Sequence, residues 1–449
     1  MKDKWYRCFA LAVTAVVALT VGPIAQERDR ELRHRVPAEY MSYRGADWLE
    51  RVERLNEEQP ERVLDAMELQ RGDVVADVGC GSGYYARRMA RRVMPGGTVY
   101  CEDIQTEMLE IMTDRAREEN VTGIRPVLGT ATDPKLPQGQ LDWVIIADVY
   151  HEMSEPEMML AGIRQSLSMD GRVALLEYRV EDGSGDQIKA DHTMSVRQVL
   201  QEWQAAGFEL TALHDFLPSQ HLFFFRAARD NVSKESLVDY DLNDAIDSGQ
   251  VEVTVVGLDD ESLNLRVRKT RNAPAVVTFP VGTYFEAHGN ASDLVARRDG
   301  WIVLGDDDWH DWSVPVLILD QERGTPGSET RFTVNRADTN PVLEAVLSAI
   351  QVGTYTVADS PTLYPPRTHA VAQTAAWILN EDTDYAVIAA SIADSRLPAP
   401  YAAAFALVFI DTAGIDIARF QIWKNRETIF QRLRDRGLNV WYQLKTEGQ

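Results

Sequence analysis

The residues best suited to binding a ligand lie in one short stretch, residues 74–83, which reads VVADVGCGSG. An apolar run leads into Asp77, and glycines then follow at every second position, at Gly79, Gly81 and Gly83. A glycine turn between a buried strand and a helix brings backbone N–H groups close to a nucleotide-like ligand, because no Cβ stands in the way. The acid two residues before the first glycine would repel a pyrophosphate, so the stretch favours a cationic or amino-bearing ligand.

Strand-like and helix-like segments alternate after this turn. Apolar runs typical of strands cover residues 98–101, 124–128, 141–147, 171–178, 208–214 and 221–227. Helical patterns between them cover residues 84–93, 105–119, 155–167 and 195–206. This alternation predicts an α/β domain in which a mostly parallel sheet carries helices on both faces. Such a sheet places Asp103, at the end of its second strand, where doubly wound folds hold an acid against ribose hydroxyls.

The D-x-G-x-G-x-G motif, the order of these elements and the AGFEL sequence at residues 206–210 resemble the class I S-adenosylmethionine-dependent methyltransferases. The resemblance covers residues 60–228. It implies a Rossmann-like seven-stranded methyltransferase domain, S-adenosylmethionine as the cofactor and a methyl acceptor whose identity the sequence leaves open.

The resemblance also implies where the cofactor lies. Asp77 and the glycine loop would face its methionine part, Asp103 or less favourably Glu102 its ribose, and Thr132 or Asp133 its adenine. Here Thr130 occupies the position of the family's usual acid after the third strand. The residues carried over are Asp77, Gly79, Cys80, Gly81, Gly83, Glu102, Asp103, Thr132, Asp133 and Asp148. Simpler interpretations are a helix cap for Asp77, a solvated turn for Asp103 and a small loop residue for Cys80.

Catalysis in this family needs few side chains, because the enzyme aligns the acceptor with the methyl group and removes a proton. His151, just past the fourth strand, is the first candidate base, and its neighbour Tyr150 and the more distant His192 are the others. The alternative for His151 is a capping or packing histidine. We expect Asp148 to lie near the sulfonium and the acceptor, and no metal is implied.

The beginning of the chain predicts a signal peptide over residues 1–25. Lys2, Lys4 and Arg7 precede an apolar stretch of 14 residues, and Ala25 provides a small residue at the cleavage site. The alternative is an uncleaved membrane anchor, although the stretch is shorter than the roughly 20 residues of a spanning helix. We therefore expect a periplasmic or secreted protein. Cys80 and Cys101 would then be its remaining cysteines, and their oxidation state is left open.

The rest of the chain divides by pattern. Residues 26–59 are predicted to form a helical lid, with a helix over 46–56, and residues 229–250 a linker. Residues 251–339 alternate as short strands and predict a small β-sandwich-like region. Residues 340–449 predict an α-helical module. Asp306–Asp308 with His310 and Asp311 could hold a hard cation, but a solvated acidic turn is the favoured interpretation.

A net charge of −23 argues against a nucleic-acid partner, because binding to phosphates requires a basic surface. The sequence favours an exported small-molecule methyltransferase whose C-terminal half is an accessory binding region, with a protein partner as one possible ligand. The alternatives are a non-catalytic nucleoside-binding or cell-surface interaction protein on the same fold, and a different enzyme such as an aminopropyl transferase.

Overall fold

The structure is a computed structural model that describes residues 37–185, 187–228, 237–270, 274–335, 340–352, 369–393, 395, 397–431, 433 and 436–447. The predicted signal peptide lies outside the described residues. The described residues from Tyr40 onward cluster as one unit. Residues 37–39, which fall outside that unit, lie in neither helix nor strand.

The first domain is built on a mixed sheet with the strand order β3-β2-β1-β4-β5-β8-β7. Its strands are β1 (Val74–Val78), β2 (Thr98–Asp103), β3 (Ile124–Leu128), β4 (Leu141–Ala147), β5 (Leu167–Arg179), β7 (Phe208–His214) and β8 (Gln220–Ala227), with β6 (Thr193–Met194) paired to β5. Strand β8 runs antiparallel to both β5 and β7, while β1 to β5 are parallel. The carboxyl ends of β1, β2, β4 and β5 therefore meet at one edge, which confirms the predicted Rossmann-like domain.

Helices cover both faces of this sheet. They are α2 (Pro60–Ala66), α3 (Tyr84–Val93), α4 (Thr106–Glu118), α5 (Pro156–Ser166) and α6 (Val196–Ala205). Helix α6 shows how the pattern sets the packing, since Val196, Val199, Leu200 and Trp203 recur at helical spacing and are all buried. Trp203 stacks on Phe225 of β8 with ring centroids 4.3 Å apart.

The segment before α2 is less regular than predicted. Instead of one helix over residues 46–56 it forms 3-10 turns at Tyr43–Gly45 and Trp48–Glu50 and a single helical turn, α1 (Arg54–Glu57). Arg51 ends the second turn with an extended ψ of 143°, which interrupts the helix.

The strand-rich region is present, but its predicted sandwich form is wrong. Its strands are β9 (Val238–Asp241), β10 (Val251–Gly257), β11 (Ser262–Lys269), β12 (Ala275–Phe279), β13 (Tyr284–Ala287), β14 (Leu294–Ala296), β15 (Gly300–Leu304), β16 (His310–Ile318) and β17 (Arg331–Val334). Six of them close as a barrel in the order β10-β11-β16-β14-β13-β17, and β15, β12 and β9 form a separate sheet. The barrel closes because β17 pairs with both β10 and β13, which leaves no free edge in the ring.

The predicted linker is also partly structured. Strand β9 pairs in parallel with β12, and helix α7 (Leu242–Asp247) follows it directly. Leu242 and Ala245 are fully buried in the barrel core. The described part of the predicted linker, residues 237–250, therefore belongs to the strand-rich region.

The C-terminal module is helical, as predicted. Its helices are α8 (Pro341–Val352), α9 (His369–Glu381), α10 (Tyr385–Ser391), α11 (Ala399–Thr412), α12 (Arg426–Phe430) and α13 (Arg436–Glu447). Two 3-10 turns, Ile417–Arg419 and Gln421–Asn425, lie between α11 and α12. The module packs on the barrel: the Gln373 amide accepts from the Ile318 N–H at 2.9 Å and donates to the Ile318 carbonyl at 2.7 Å. Within the described residues, every helix is too short or too polar to cross a membrane.

Candidate cofactor and acceptor site

The glycine loop after β1 adopts a backbone that other residues would strain. Gly79, Gly81 and Gly83 have φ of 67°, 51° and 79°. A Cβ on Gly79 would lie 2.4 Å from Val149 Cγ1, and one on Gly83 would lie 2.4 Å from Met112 Cγ. The glycines are therefore required both by the turn and by the neighbouring side chains.

Three buried carboxylates accept hydrogen bonds from backbone N–H groups of this loop and of the helix that follows it. Asp77 accepts from the Ala86 N–H at 2.8 Å, in the first turn of α3. Glu102 accepts from the Gly79 N–H at 3.2 Å, and Asp103 accepts from the Gly81 N–H at 2.9 Å. The capping role considered for Asp77 is thus present, and it fixes the carboxylate beside the loop.

Burial makes these carboxylates hard to ionise. It raises the pKa of Asp77 to about 7 and that of Glu102 to about 8, and it raises the pKa of Asp103. Hydrogen bonds from the backbone oppose each shift without cancelling it. A site of this kind favours a positively charged ligand, because a cation would offset the unfavourable burial of negative charge.

Several buried polar atoms at this edge of the sheet have no hydrogen-bond partner among the residues that the structure describes. They are Glu58 Oε2, Tyr84 OH, Tyr85 OH, Glu102 Oε1, His151 Nε2 and Gln220 Oε1. Buried polar groups are nearly always paired in folded proteins. Their concentration here fits a pocket that pairs them with a polar ligand.

Cys80 and Cys101 form a disulfide between the glycine loop and β2, with Cα atoms 5.5 Å apart. Both side chains are buried. The sequence left the oxidation state of these two cysteines open, and in the structure they are oxidised. The bond links the glycine loop to the strand that carries Glu102 and Asp103.

The segment before α1 covers the glycine loop. Ser82 Oγ donates to Glu50 Oε1 at 2.6 Å, and Arg87 pairs with the same carboxylate at 2.5 Å. A Cβ on Gly81 would lie 3.0 Å from Leu49 Cδ1. Tyr40, one of the aromatic residues of this segment, is exposed.

The residues predicted near adenine follow β3. Thr132 is half-buried, whereas Asp133 is exposed and accepts from the Lys135 N–H at 2.8 Å. A Cβ on Gly129 would lie 1.7 Å from Glu102 Oε1, so this glycine makes room for the glutamate.

Asp148 lies at the mouth of β4 with a φ of 56°. The Gln220 amide donates to both of its carboxylate oxygens, at 2.7 and 2.9 Å. Burial, and then the charges of Glu58 and Glu177, hold the pKa of Asp148 well above its usual range. Asp148 therefore adds another unfavourable negative charge where the sulfonium was predicted to lie.

His151 and His192 come together beyond Asp148, with ring centroids 4.9 Å apart. His151 is buried, and its Nδ1 lies 2.6 Å from Glu177 Oε2 while its N–H donates to Glu177 Oε1 at 3.2 Å. His192 Nδ1 lies 2.8 Å from Asp191 Oδ1. Burial lowers the pKa of His192. Burial also opposes protonation of His151, but the carboxylates of Glu177, Glu152 and Asp148 together outweigh it, and the pKa of His151 is raised. The two predicted histidines thus share one site.

Tyr150 does not belong to this site, which contradicts its predicted catalytic role. Its side chain is fully buried, its hydroxyl donates to Glu202 Oε2 at 2.7 Å, and its ring packs on Trp203. Tyr150–Glu152 is a 3-10 turn, so adjacent side chains point in different directions: Tyr150 packs in the core, while His151 and Glu152 lie close to His192.

Sequence reasoning missed Glu177 and Gln220, which position the two central side chains. Both are fully buried. A signal was available for Glu177, because a lone acid in the apolar run GRVALLEY must be paired if the strand is buried. Gln220 carries no such signal, since its position beside Asp148 depends on the antiparallel pairing of β8 with β5.

The acidic cluster at Asp306–Asp308 has the exposure and hydrogen bonds of a solvated acidic turn, which was the favoured interpretation. His310 Nε2 lies 2.9 Å from Asp306 Oδ1, and the Asp308 N–H donates to the same oxygen at 3.0 Å. All three aspartates are exposed.

Comparison with known proteins agrees with this geometry. Residues 75–171 match a family model described as a methyltransferase domain. Nocamycin O-methyltransferase of Saccharothrix syringae is 32% identical over 25% of this chain and 41% of its own length. An uncharacterized 37.1 kDa protein in transposon TN4556 of Streptomyces fradiae is 31% identical over 26% of this chain and 33% of its own length.

A solved SAM-dependent methyltransferase from Aquifex aeolicus is 22% identical and covers 41% of this chain and 98% of its own, with a TM-score of 0.39. The curated relatives above are matched over less than half of their length. Residues 75–171 thus match a methyltransferase domain, which confirms the predicted resemblance to the class I S-adenosylmethionine-dependent methyltransferases.

Asp77→Asn should separate stability from ligand binding. Because the folded-state pKa of Asp77 is raised, its contribution to stability is greatest below pH 4 and is lost as the pH rises toward 7. A shift of about three units corresponds to roughly 4 kcal/mol. In denaturant unfolding, the Asn variant should therefore have a higher free energy of unfolding at pH 8 than the unmutated protein. Its free energy of unfolding should also vary less between pH 4 and pH 8.

The exposed carboxylate of Asp114 in the same domain provides the control, as Asp114→Asn should leave the pH profile of the unmutated protein intact. An Asp77→Asn profile that still falls with pH as steeply as the unmutated one would show that this burial is not costly.

The disulfide should contribute to the stability of the loop. Cross-linking residues 21 positions apart removes about 3 kcal/mol of unfolded-chain entropy. The double variant Cys80→Ser, Cys101→Ser should lose about this much free energy of unfolding in denaturant. A reductant should lower the stability of the unmutated protein but not that of the double variant. Equal stability of the two proteins under oxidising conditions would contradict the bond.

Proposed function

We propose that this protein is an exported methyltransferase that uses S-adenosylmethionine to methylate a small molecule, with the barrel and helical module as an accessory region. One observation carries the enzyme assignment: a glycine loop clamped by Asp77, Glu102 and Asp103 at the carboxyl ends of β1 and β2. In a domain of this family, that arrangement is the cofactor site.

The residues present fit the cofactor's chemistry. Bound S-adenosylmethionine supplies a methyl group activated by a sulfonium, and its ammonium and sulfonium are both cationic. Asp77 and the loop would hold the methionine part, which places positive charge beside buried carboxylates. Asp103 would hold the ribose together with Glu102, whose Oε1 has no partner among the described residues. Thr132 or Asp133 would lie by the adenine.

The acceptor side carries the groups that a methyl transfer needs. Alignment of acceptor and methyl group requires a fixed pocket wall, which Asp148 and Gln220 provide through their paired hydrogen bonds. Proton removal requires a base in reach. His151, oriented by Glu177, and the adjacent His192 are the groups that would take the proton.

The accessory region contacts this acceptor side. Arg298 donates to the Val180 carbonyl at 2.5 Å, just past β5. Asp299 bonds the side chain of Ser195, which caps α6 three residues after His192. The loop between β14 and β15 of the strand-rich region therefore contacts the segment that carries His192, which supports a role in shaping the acceptor pocket.

Composition and the disulfide support export and a small acceptor. The net charge of −23 disfavours a nucleic-acid substrate. A buried disulfide is typical of proteins that fold in oxidising compartments. It agrees with the predicted signal peptide, so we infer a periplasmic or secreted enzyme.

Calorimetry with the purified chain tests the cofactor site. S-adenosylmethionine should bind, and Asp103→Asn and Glu102→Gln should each weaken binding by about 1–3 kcal/mol, or roughly 5- to 150-fold, through lost hydrogen bonds. Asp114→Asn, which removes one exposed carboxylate from α4, is the matched control and should bind as tightly as the unmutated protein.

Absence of binding by the unmutated protein would contradict the proposal. Binding without any release of S-adenosylhomocysteine, across acceptors bearing hydroxyl, amine or thiol groups, would instead favour a non-catalytic ligand-binding protein. Export has its own test, since mass spectrometry of the mature protein should find an N-terminus after Ala25. A chain that begins at Met1 in the cytoplasm would refute the predicted localisation.

A further inference from the structure

Three side chains on the acceptor side have the composition of a metal site. His151, Glu152 and His192 each offer a ligand atom, and these three atoms lie within 4.8 Å of one another. They come from two 3-10 turns, Tyr150–Glu152 after β4 and Ala190–His192 after β5. Two imidazoles and one carboxylate form the donor set that binds catalytic zinc and related divalent ions.

The hydrogen bonds of the two histidines match those of metal ligands. Nδ1 of His151 is engaged by Glu177 and Nδ1 of His192 by Asp191. Histidines that bind a metal usually donate their other ring N–H to a carboxylate, which fixes the tautomer and aims the free nitrogen at the ion. Both rings are therefore set to present Nε2.

A second, independent observation concerns the ring nitrogen of His151 that faces away from Glu177. Nε2 of His151 is buried and has no hydrogen-bond partner within the described part of the chain. The residue is only 3% exposed, so bulk water does not satisfy this nitrogen. A buried nitrogen without a partner destabilises the folded protein, and a bound ion would remove that cost.

The distances allow an ion after a small adjustment. Zinc bonds of about 2.0–2.2 Å hold tetrahedral ligand atoms roughly 3.3–3.5 Å apart. The cluster therefore has to contract by at most about 1.5 Å, which side-chain rotation of the half-buried Glu152 and His192 can supply.

We propose that His151, Glu152 and His192 bind a divalent transition-metal ion of the zinc class, whose open coordination positions take the nucleophilic group of the methyl acceptor. This assignment rests on the proposed function for its substrate class, which becomes a molecule with a metal-binding hydroxyl or thiol. With the ion bound, His151 and His192 act as ligands and no longer as bases, so the acceptor loses its proton to solvent when it binds the ion. Its oxygen or sulfur then forms the bond to the methyl carbon as the carbon–sulfur bond breaks, and the electron pair stays on the departing thioether.

The ion also explains why several carboxylates surround this cluster. Glu177 and Asp191 bond the two histidines, and Asp148 lies close enough to His151 to act on its charge. A divalent cation would balance that charge locally.

The test is a titration of the metal-stripped full chain with Zn²⁺ alone, followed by calorimetry and by metal analysis after gel filtration. We expect one Zn²⁺ per chain. His192→Gln and Glu152→Gln should each lower the affinity more than about 100-fold, and Glu177→Gln, which removes a supporting carboxylate, by about 10- to 100-fold. Visible absorption of Co²⁺ in the same site provides a readout of ligand identity that a purely structural role would not change.

His310→Gln is the matched control, because His310 also pairs with a carboxylate, on the barrel, and should bind Zn²⁺ as the unmutated chain does. Thermal unfolding of each variant shows whether it is folded. No bound Zn²⁺ in the unmutated chain, or unchanged affinity in the folded His192→Gln and Glu152→Gln variants, would overturn the proposal.

S-adenosylmethionine binding, measured on the same samples without metal, separates the two proposals. Zinc binding without cofactor binding would leave the metal site standing and refute the methyltransferase function. Cofactor binding without zinc binding would do the reverse.

Discussion

The structure depends on the burial of negative charge at one edge of a parallel sheet. Asp77, Glu102 and Asp148 lie at the ends of neighbouring strands, and burial raises the pKa of each. Backbone N–H groups of the glycine loop and the amide of Gln220 hold them in place, but these neutral donors compensate only part of the cost. A fold that keeps such charges inside gains from a cation, and this constraint leads to both the cofactor and the metal assignments.

The same constraint gives the additional domains a role. Helix α6, the barrel and helix α8 meet behind the turn that carries His192: Asp299 bonds Ser195, and its backbone N–H donates to the Gln351 side chain at 2.7 Å. The helical module is in turn anchored on the barrel through Gln373. The C-terminal half therefore packs against the acceptor side of the first domain and is not an independent module.

The sequence predicted most of the methyltransferase domain because its strands are apolar runs bounded by turns. Residues 124–128, 141–147 and 208–214 were predicted with the bounds that the structure has. Barrel closure was not predictable, since alternation reveals a strand but not its partners. The site was predictable where a motif exists, as for Asp77, and not where the pairing of strands far apart in sequence brings residues together, as for Gln220 beside Asp148. The disulfide follows from the pairing of β1 with β2, which the two cysteines alone did not establish.

Proton exchange during cofactor binding tests the central claim most directly. With pKa values of about 7 and about 8, Asp77 and Glu102 are partly protonated at neutral pH, and a cationic ligand must lower both values. Calorimetry of S-adenosylmethionine binding at pH 7, in buffers of different ionisation enthalpy, should therefore show net proton release, which the Asp77→Asn, Glu102→Gln double variant should not show. Binding with no proton exchange, or with proton uptake, would contradict the account.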